Sequence, residues 1–433
     1  MQREIVFDLS HLITRLNQRA TSGVDRVDLA YARYFSASET HAAAGTQYGL
    51  FRPHVVGPAR MRSLVACFER QQLEKETGDG PEWIEAKARL AGHGGDLTGH
   101  HPKAHLAGRI RGFAVQSGFR VFHQWGRELP RDAIYLNVAQ HAFEHGRFFR
   151  WLDQRPDVLP VFLVHDMLAL DFPEFFPAGY DRRFRRRADL IVQRARAIIT
   201  TTEQVADRIR SEYVQRGLDA VPIHVEPLAS ALEGSPGNEN GDATLDTTPD
   251  TTLGGACYFL AVATIEPRKN HMLLIQIWRA LIQRGGPTPK LLLVGRRGWE
   301  SEQTFRELDL APDLRQHVIE IPRLSSLHLR LLMKNARAVL MPSFAEGYGI
   351  PIVEALSLGT PVICSDLPVF RNVSQNKALF RSPIDGTGWL TAIDAMTDHG
   401  SALRDEYARK AREFRAPTWQ GYFGNVMDFL SRL

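Results

Sequence analysis

The sequence predicts an α/β protein built of two doubly wound domains that face each other across a cleft. Three observations carry that prediction. Apolar runs alternate with amphipathic stretches in both halves of the chain. The runs are nearly continuous in Val, Ile and Leu, the pattern of parallel strands covered on both faces. A polar seam, "EGSPGNENGDATLDTTPDTTLGG" at 233–255, has almost nothing to bury and divides the chain in two.

In chain order, the expected strands before the seam are IVFDLS (5–10), PVFLVHD (160–166), AIIT (197–200) and PIHVEPL (222–228). After it come YFLAVATIE (258–266), KLLLVG (290–295), HVIEI (317–321), RAVLMPS (337–343) and PVICSD (361–366). Helical patterns lie between them, as in HMLLIQIWRALIQRGG (271–286), which Gly285 and Gly286 stop. Repeated β-α units in each half give doubly wound sheets, and ligands of such sheets sit beyond the carboxyl ends of the strands. The predicted division is 1–230 for an N-terminal Rossmann-like domain, 231–255 for a linker and 256–415 for a C-terminal Rossmann-like domain. Residues 416–433 are read as a final helix that packs back on the first domain. Within the first domain, 36–120 is set apart as insertion or lid. Its 71–115 portion is polar, rich in Gly and His, and weakly periodic. His93, His100, His101 and His105 fall there, but no acidic or cysteine ligands accompany them, so a solvated loop is preferred to a metal site.

The 433 residues are 44% hydrophobic and 24% charged, with net charge +4. The basic excess sits in 1–230, with 31 Lys and Arg against 27 acidic residues. That bias suits anionic ligands or an anionic membrane surface and is too weak to argue for nucleic acid. Three widely spaced cysteines suit a reducing compartment. The first residues lack a signal-peptide pattern and no apolar run approaches membrane-spanning length, so the expected location is cytoplasmic.

Four places at strand ends carry chemistry. In "FAEGYGIPIVEALSLGTPVICSD", Glu346, Gly347, Tyr348 and Gly349 form a loop, Pro351 suits a first helical turn and Glu354 is placed in that turn. The glycines permit close backbone approach, and a helix start offers free N–H groups to an anion such as a diphosphate. The carboxylates are suited to accept hydrogen bonds from hydroxyls. The bland alternative is a capped helix whose glutamate complements the dipole. In IEPRKN (265–270), Arg268 and Lys269 can neutralise a diphosphate, or form an exposed basic turn. In PVFLVHD, His165 and Asp166 sit just past a buried strand. There His165 can act in hydrogen bonding or proton transfer, or be a core-edge histidine satisfied by backbone. Gly23, before an amphipathic helix, can bring N-terminal backbone up to a phosphate.

These residues resemble a retaining glycosyltransferase of family 4, whose fold is GT-B, two facing Rossmann-like domains. Glu346-Gly-Tyr-Gly-Ile-Pro-Ile-Val-Glu354 matches the family's pair of glutamates with seven residues between them. Ala355-Leu-Ser-Leu-Gly359-Thr-Pro361-Val and Ser365-Asp366 follow. Glu266-Pro-Arg-Lys-Asn270, Val294-Gly-Arg-Arg-Gly-Trp299, His165-Asp166 with Phe172-Pro-Glu174, and Gly23-Val-Asp-Arg26 support it. The pattern departs at Tyr348, Asn372 and Ala263. The resemblance implies that Glu346 holds donor-sugar hydroxyls, Glu354 the ribose, and Arg268 and Lys269 the diphosphate. It implies that His165 reaches the sugar, that Gly347 to Ile350 present amides, and that Gly23 and Gly295 border the donor.

The implied reaction is transfer of a hexose, with retention and without a metal or other cofactor, in surface-polysaccharide synthesis. The first donor expected is GDP-mannose, and the acceptor is a saccharide or polyprenyl-diphosphate-linked saccharide. A nucleotide-sugar epimerase of the same fold and an inactive sugar-nucleotide-binding protein are the alternatives. The arginines of 181–196 are read either as a solvated helix face or as a surface for anionic lipid headgroups, giving a peripheral contact with the inner face of the membrane.

Overall fold

The computed structural model describes residues 3–15, 23–37, 42–46, 53–56, 59, 61–68, 80–92, 129–230, 253, 255–398 and 400–433. The predicted linker lies outside these except for Leu253 and Gly255, as do His93, His100, His101 and His105.

Two sheets organise the molecule. The first runs in the order β3-β2-β1-β4-β5-β6-β7. Its strands are β1 (Ile5–Asp8), β2 (Ala42–Thr46), β3 (Pro53–Val56), β4 (Ile134–Asn137), β5 (Leu159–Val164), β6 (Ala197–Thr200) and β7 (Ile223–Val225). All neighbours pair in parallel except β2 with β3. The second is parallel throughout, in the order β10-β9-β8-β11-β12-β13. It comprises β8 (Tyr258–Val262), β9 (Lys290–Val294), β10 (Val318–Ile321), β11 (Val339–Met341), β12 (Val362–Ser365) and β13 (Leu379–Arg381). In β1, β4, β6, β11 and β12 every residue is buried, as strands sandwiched between helical layers require. Each of the nine expected strands forms within its predicted stretch or one residue from it. β2, β3, β4 and β13 are additional.

Outer helices fill the hydrophobic layers. On the second sheet, the helix His271–Arg284 buries Leu274, Ile275, Ile277, Trp278 and Leu281 and ends where Gly285 turns left-handed at φ 74°. The final helix, Trp419–Ser431, crosses back to the first lobe. The Tyr422 and Tyr31 hydroxyls are 2.8 Å apart, and Tyr34 stacks on Phe423 at 4.1 Å. Trp419 donates to the Ser230 carbonyl at 3.2 Å.

The weakly periodic stretch 71–115, set apart in the sequence as insertion or lid, contains the helix Pro81–Leu90. Trp83, Ala86 and Leu90 form a narrow buried face that the intervening charges obscure in the sequence. This helix comes from the N-terminal half but packs on the second lobe. Its buried residues share a core with Ile319 and Ile321 of β10 and with Leu329. Arg89 donates to the carbonyls of Arg315 (2.6 Å) and Val318 (3.3 Å), so the helix covers the border strand of the second sheet.

Candidate active site

The carboxyl ends of the two sheets enclose a cleft of about 760 Å³, a size suited to a small-molecule ligand. His165, Arg268, Lys269, Glu346, Gly23, Gly347, Tyr348, Gly349, Ile350, Glu354 and Gly295 all line it. The fold thus brings to one cavity the residues to which the resemblance gives a donor-binding or catalytic role.

The floor consists of two interlaced loops. After β8 the chain makes a tight turn, Pro267–Lys269, and Asn270 takes the left-handed conformation at φ 55°. The Asn270 amide donates to the carbonyls of Pro342 (3.1 Å) and Pro383 (2.9 Å), which ties this turn to the ends of β11 and β13. The loop after β11 answers with a backbone bond from Phe344 N to Arg268 O at 2.8 Å. Arg268 Nη1 donates to Ala345 O at 3.1 Å.

These contacts set four charges in a row, Glu266–Arg268–Glu346–Lys269. Arg268 donates to Glu346 Oε2 at 2.6 Å, Lys269 donates to Oε1, and Ser343 Oγ donates to Oε1 at 2.9 Å. Glu266 Oε1 lies 2.7 Å from Arg268 Nε, close in charge but without hydrogen-bond alignment. Burial pushes the Glu346 carboxyl up, but Arg268 and Lys269 more than offset this and hold it down at about 2. Burial and the neighbouring guanidinium of Arg268 push Lys269 down. Glu266 is pushed up by burial despite its basic neighbours. The sequence suggests two cations waiting for a phosphate. They are instead engaged by a carboxylate, although the three-donor ammonium of Lys269 commits only one proton to it.

Gly349, at φ 109°, leads into the helix Ile350–Ser357 with Pro351 in its first turn. Among the described residues, no acceptor is bonded to the N–H groups of Gly347, Tyr348, Gly349 or Ile350, the pattern of a helix start open to an anion. Glu354 lies in the second turn of this helix rather than the first. It is 1% exposed and accepts from Arg26 Nη1 of the other lobe at 2.8 Å. Burial pushes its carboxyl up, against the pull of Arg26. In the sequence Arg26 stands out only as part of the Gly-Val-Asp-Arg stretch, and nothing local marks it as the partner of a residue 328 positions away. Glu266 likewise belongs to a recognisable stretch that gives its carboxylate no role.

The opposite wall is the step after β5. His165 Nε2 lies 2.8 Å from the Val138 carbonyl. A carbonyl only accepts, so Nε2 carries the proton and Nδ1 is the nitrogen left with a lone pair. Burial pushes the ring down in pKa, which keeps it neutral. Asp166 accepts from Leu168 N at 3.1 Å, a capping contact for the short helix that follows. A Cβ on Gly347 would lie 2.6 Å from Asp166 Cβ, so only glycine allows this loop to abut the first lobe. A Cβ on Gly23 would lie 3.1 Å from Ile350 Cδ1 across the cleft. The Tyr348 hydroxyl turns away and donates to Leu228 O at 2.7 Å. Gly295 donates its N–H to Ile321 O at 2.9 Å, and a Cβ there would meet Ala263 O at 1.9 Å. What that glycine visibly provides is close packing of the strand ends.

Most arginines of the helix Tyr180–Arg194 are paired with acidic residues of neighbouring elements. Arg183 and Arg187 donate to Glu144, Arg185 to Glu212, and Arg194 pairs with Asp153. Arg182 and Arg186 are exposed. Among the described residues no helix is long and apolar enough to cross a membrane, and no cluster of His, Cys, Asp or Glu is grouped to hold a metal ion.

Comparison with known proteins adds a partial family match and a set of relatives. Residues 252–413 match the family described as "Glycosyl transferases group 1". The serotype-specific mannosyltransferase WbdA of Escherichia coli is 28% identical over 229 residues, 51% of this chain and 28% of WbdA. The chain thus spans less than a third of that relative's length. The O-antigen chain mannosyltransferase B of Escherichia coli is 29% identical over 304 residues, 69% of this chain and 74% of its own. Among solved structures, Anabaena HepE in complex with UDP and glucose superposes with a TM-score of 0.57 at 14% identity, covering all of both chains. WaaG, a glycosyltransferase involved in lipopolysaccharide biosynthesis, gives 0.50 at 15% identity over 69% of this chain and 91% of its own. The chain takes the two-lobed GT-B fold, and residues 252–413, in its second lobe, are similar to the group 1 glycosyl transferases.

Proposed function

We propose that the protein is a retaining hexosyltransferase that moves a sugar, mannose first, from a nucleoside-diphosphate donor to a saccharide acceptor in surface-polysaccharide assembly. The observation that carries this reading is the row Glu266–Arg268–Glu346–Lys269 on the cleft floor, facing His165 across it. Relatives named as mannosyltransferases, two of them of O-antigen chains, support the sugar and the pathway class.

In this reading the donor diphosphate lies on the open helix start at Gly349–Ile350, with Arg268 and Lys269 countering the charge that grows as the sugar–phosphate bond breaks. Glu346 turns its cations toward the phosphates and accepts from sugar hydroxyls. The acceptor oxygen attacks on the face that the diphosphate leaves, and the leaving phosphate oxygen takes its proton. His165, neutral and proton-bearing on Nε2, orients rather than titrates. The positive charge comes from Arg268 and Lys269, so the reaction proceeds without a metal.

The test is slow donor hydrolysis with a panel of GDP-, UDP- and ADP-sugars, with and without EDTA. Hydrolysis of one donor with or without chelator supports the proposal. Failure to turn over any donor, or loss of turnover in EDTA, counts against it. A lipid-linked acceptor would bring the exposed Arg182 and Arg186 near an anionic membrane. Co-sedimentation with phosphatidylglycerol vesicles, lost in the double change Arg182→Glu and Arg186→Glu, tests that contact.

A further inference from the structure

The end of the cleft remote from Glu346 has a wall of unusual origin. From the second lobe it is lined by Pro322, Arg323 and Leu324 after β10, and by His328. From the N-terminal half it is lined by Phe68 and by the first turn of the helix Pro81–Leu90. That helix is fixed firmly. Trp83 is 3% exposed, and its ring stacks on His328 at 4.3 Å with 7° between planes. The Lys87 ammonium stands 5.2 Å from the same indole. With a neighbour at each of these positions, Trp83 braces the wall rather than offering a face to a ligand.

Beside this brace sits a pair of opposite charges contributed by the two halves of the chain. Arg323 Nε donates to Glu82 Oε1 at 2.8 Å, and both residues line the cavity. The bland reading of Glu82 is an acidic residue in a first helical turn, complementing the dipole. Its place in the cleft wall, paired with an arginine of the other lobe and next to a buried tryptophan, goes beyond what dipole complementation needs.

A donor whose diphosphate lies at Gly349–Ile350 and whose ribose lies toward Glu354 would extend its base to this end of the cleft. The inference therefore rests on the donor-binding reading above. The hydrogen-bonding edges of the three common bases differ. Guanine presents two adjacent donors, N1–H and the N2 amino group, with the O6 acceptor beside them. Uracil presents one donor between two acceptors, and adenine one amino donor beside an acceptor nitrogen. A carboxylate accepts both guanine donors at once and repels the acceptors that flank the single donor of the others. A guanidinium next to it matches O6 or N7. We propose that Glu82, positioned by the Trp83–His328 stack and paired with Arg323, reads the base of the donor nucleotide and selects guanine. The N-terminal insertion would then be a specificity element of the second lobe's donor site.

Calorimetric binding of GDP, UDP and ADP to the full chain tests this. The wild type is expected to bind GDP about tenfold or more tighter than UDP or ADP. Glu82→Gln should weaken GDP by about ten- to hundredfold and leave UDP and ADP unchanged. Arg323→Gln, a change on the other lobe, should also weaken GDP selectively and keeps the test usable if Glu82→Gln does not fold. Equal binding of all three by the wild type, an unchanged GDP affinity in both variants, or a parallel loss of all three nucleotides overturns the assignment. Binding without base preference would sink this inference alone. Binding of none of the three would remove the donor-site reading as well.

Discussion

Glu346 and Glu354 stand at the two ends of one loop-helix segment, and both are buried, yet their surroundings are opposite. Glu346 is gripped by two cations and a serine of its own lobe. Glu354 has one arginine, supplied by the facing lobe. The cations hold the first carboxyl down at about 2, while burial outweighs Arg26 and drives the second up. The same residue type in one motif is therefore a fixed charge within a lobe in one case and a contact between lobes in the other. Glu346 orders the charges of the floor, whereas Glu354 joins the two lobes.

The comparison can be broken most strongly at the first site. Glu346→Gln and Lys269→Ala should each lower kcat by about 10²–10³, the scale of losing one preorganised charged contact to a developing anion. Near-normal turnover in both would remove Glu346 from the chemistry. Glutamine is the informative change because it removes the charge while keeping the size of the side chain and one acceptor oxygen for the neighbouring donors.

Arg26→Ala comes next. It strands a buried carboxylate and should destabilise the protein by about 1–3 kcal/mol in denaturant unfolding. It should also raise the donor KM more than it lowers kcat, whereas the Glu346 change should act on kcat. A double-mutant cycle with Glu354→Gln isolates the pair, and additivity would show that the two do not interact.

Tyr348→Phe is expected to be milder still. It removes only the hydroxyl that reaches the Leu228 carbonyl, costing about 1 kcal/mol with little change in kcat. A large loss of activity would mean that the hydroxyl meets substrate.

The subtlest expected effect is on the pH dependence of stability. A carboxyl held below the unfolded value of about 4.3 contributes stability that is complete above that pH and lost as pH falls toward 2. A carboxyl held above its unfolded value does the reverse, and its cost appears as pH rises through the raised value. Glu346→Gln should therefore flatten the acid side of the stability curve, and Glu354→Gln should flatten the region above. Chemical denaturation from pH 3 to 8 would show the two differences sloping in opposite directions. Slopes of one sign would refute the assignment.

How much of the molecule is legible in the sequence depends on how local each determinant is. The floor loops announce themselves because a strand-to-helix turn with close backbone approach needs glycine at 347 and 349, and proline suits 351. All three stand within a few residues of the charged groups. The nine predicted strands are legible as apolar runs, whereas β4 (IYLN) and β13 (LFR) are too short to show a period, and AAAGT of β2 carries no strand preference. Periodicity also says that a face is buried without saying against what. Trp83, Ala86 and Leu90 mark such a face, but its partner β10 lies more than 220 residues later. Arg26 and Glu354, Tyr348 and Leu228, and Glu82 and Arg323 are joined only by the fold.

The placement of the helix Pro81–Leu90 over β10 bears on how this protein can be dissected. Cutting at the linker and expressing residues 256–433 alone would strip the rim of the second sheet, baring backbone groups of Val318–Ile321 and the apolar patch beneath Trp83. Such a fragment would be inclined to stack with copies of itself. A usable fragment of the second lobe would have to carry the ten residues from 81 to 90 along with it. The second lobe therefore cannot be cut free at the polar seam without taking this helix of the first half with it.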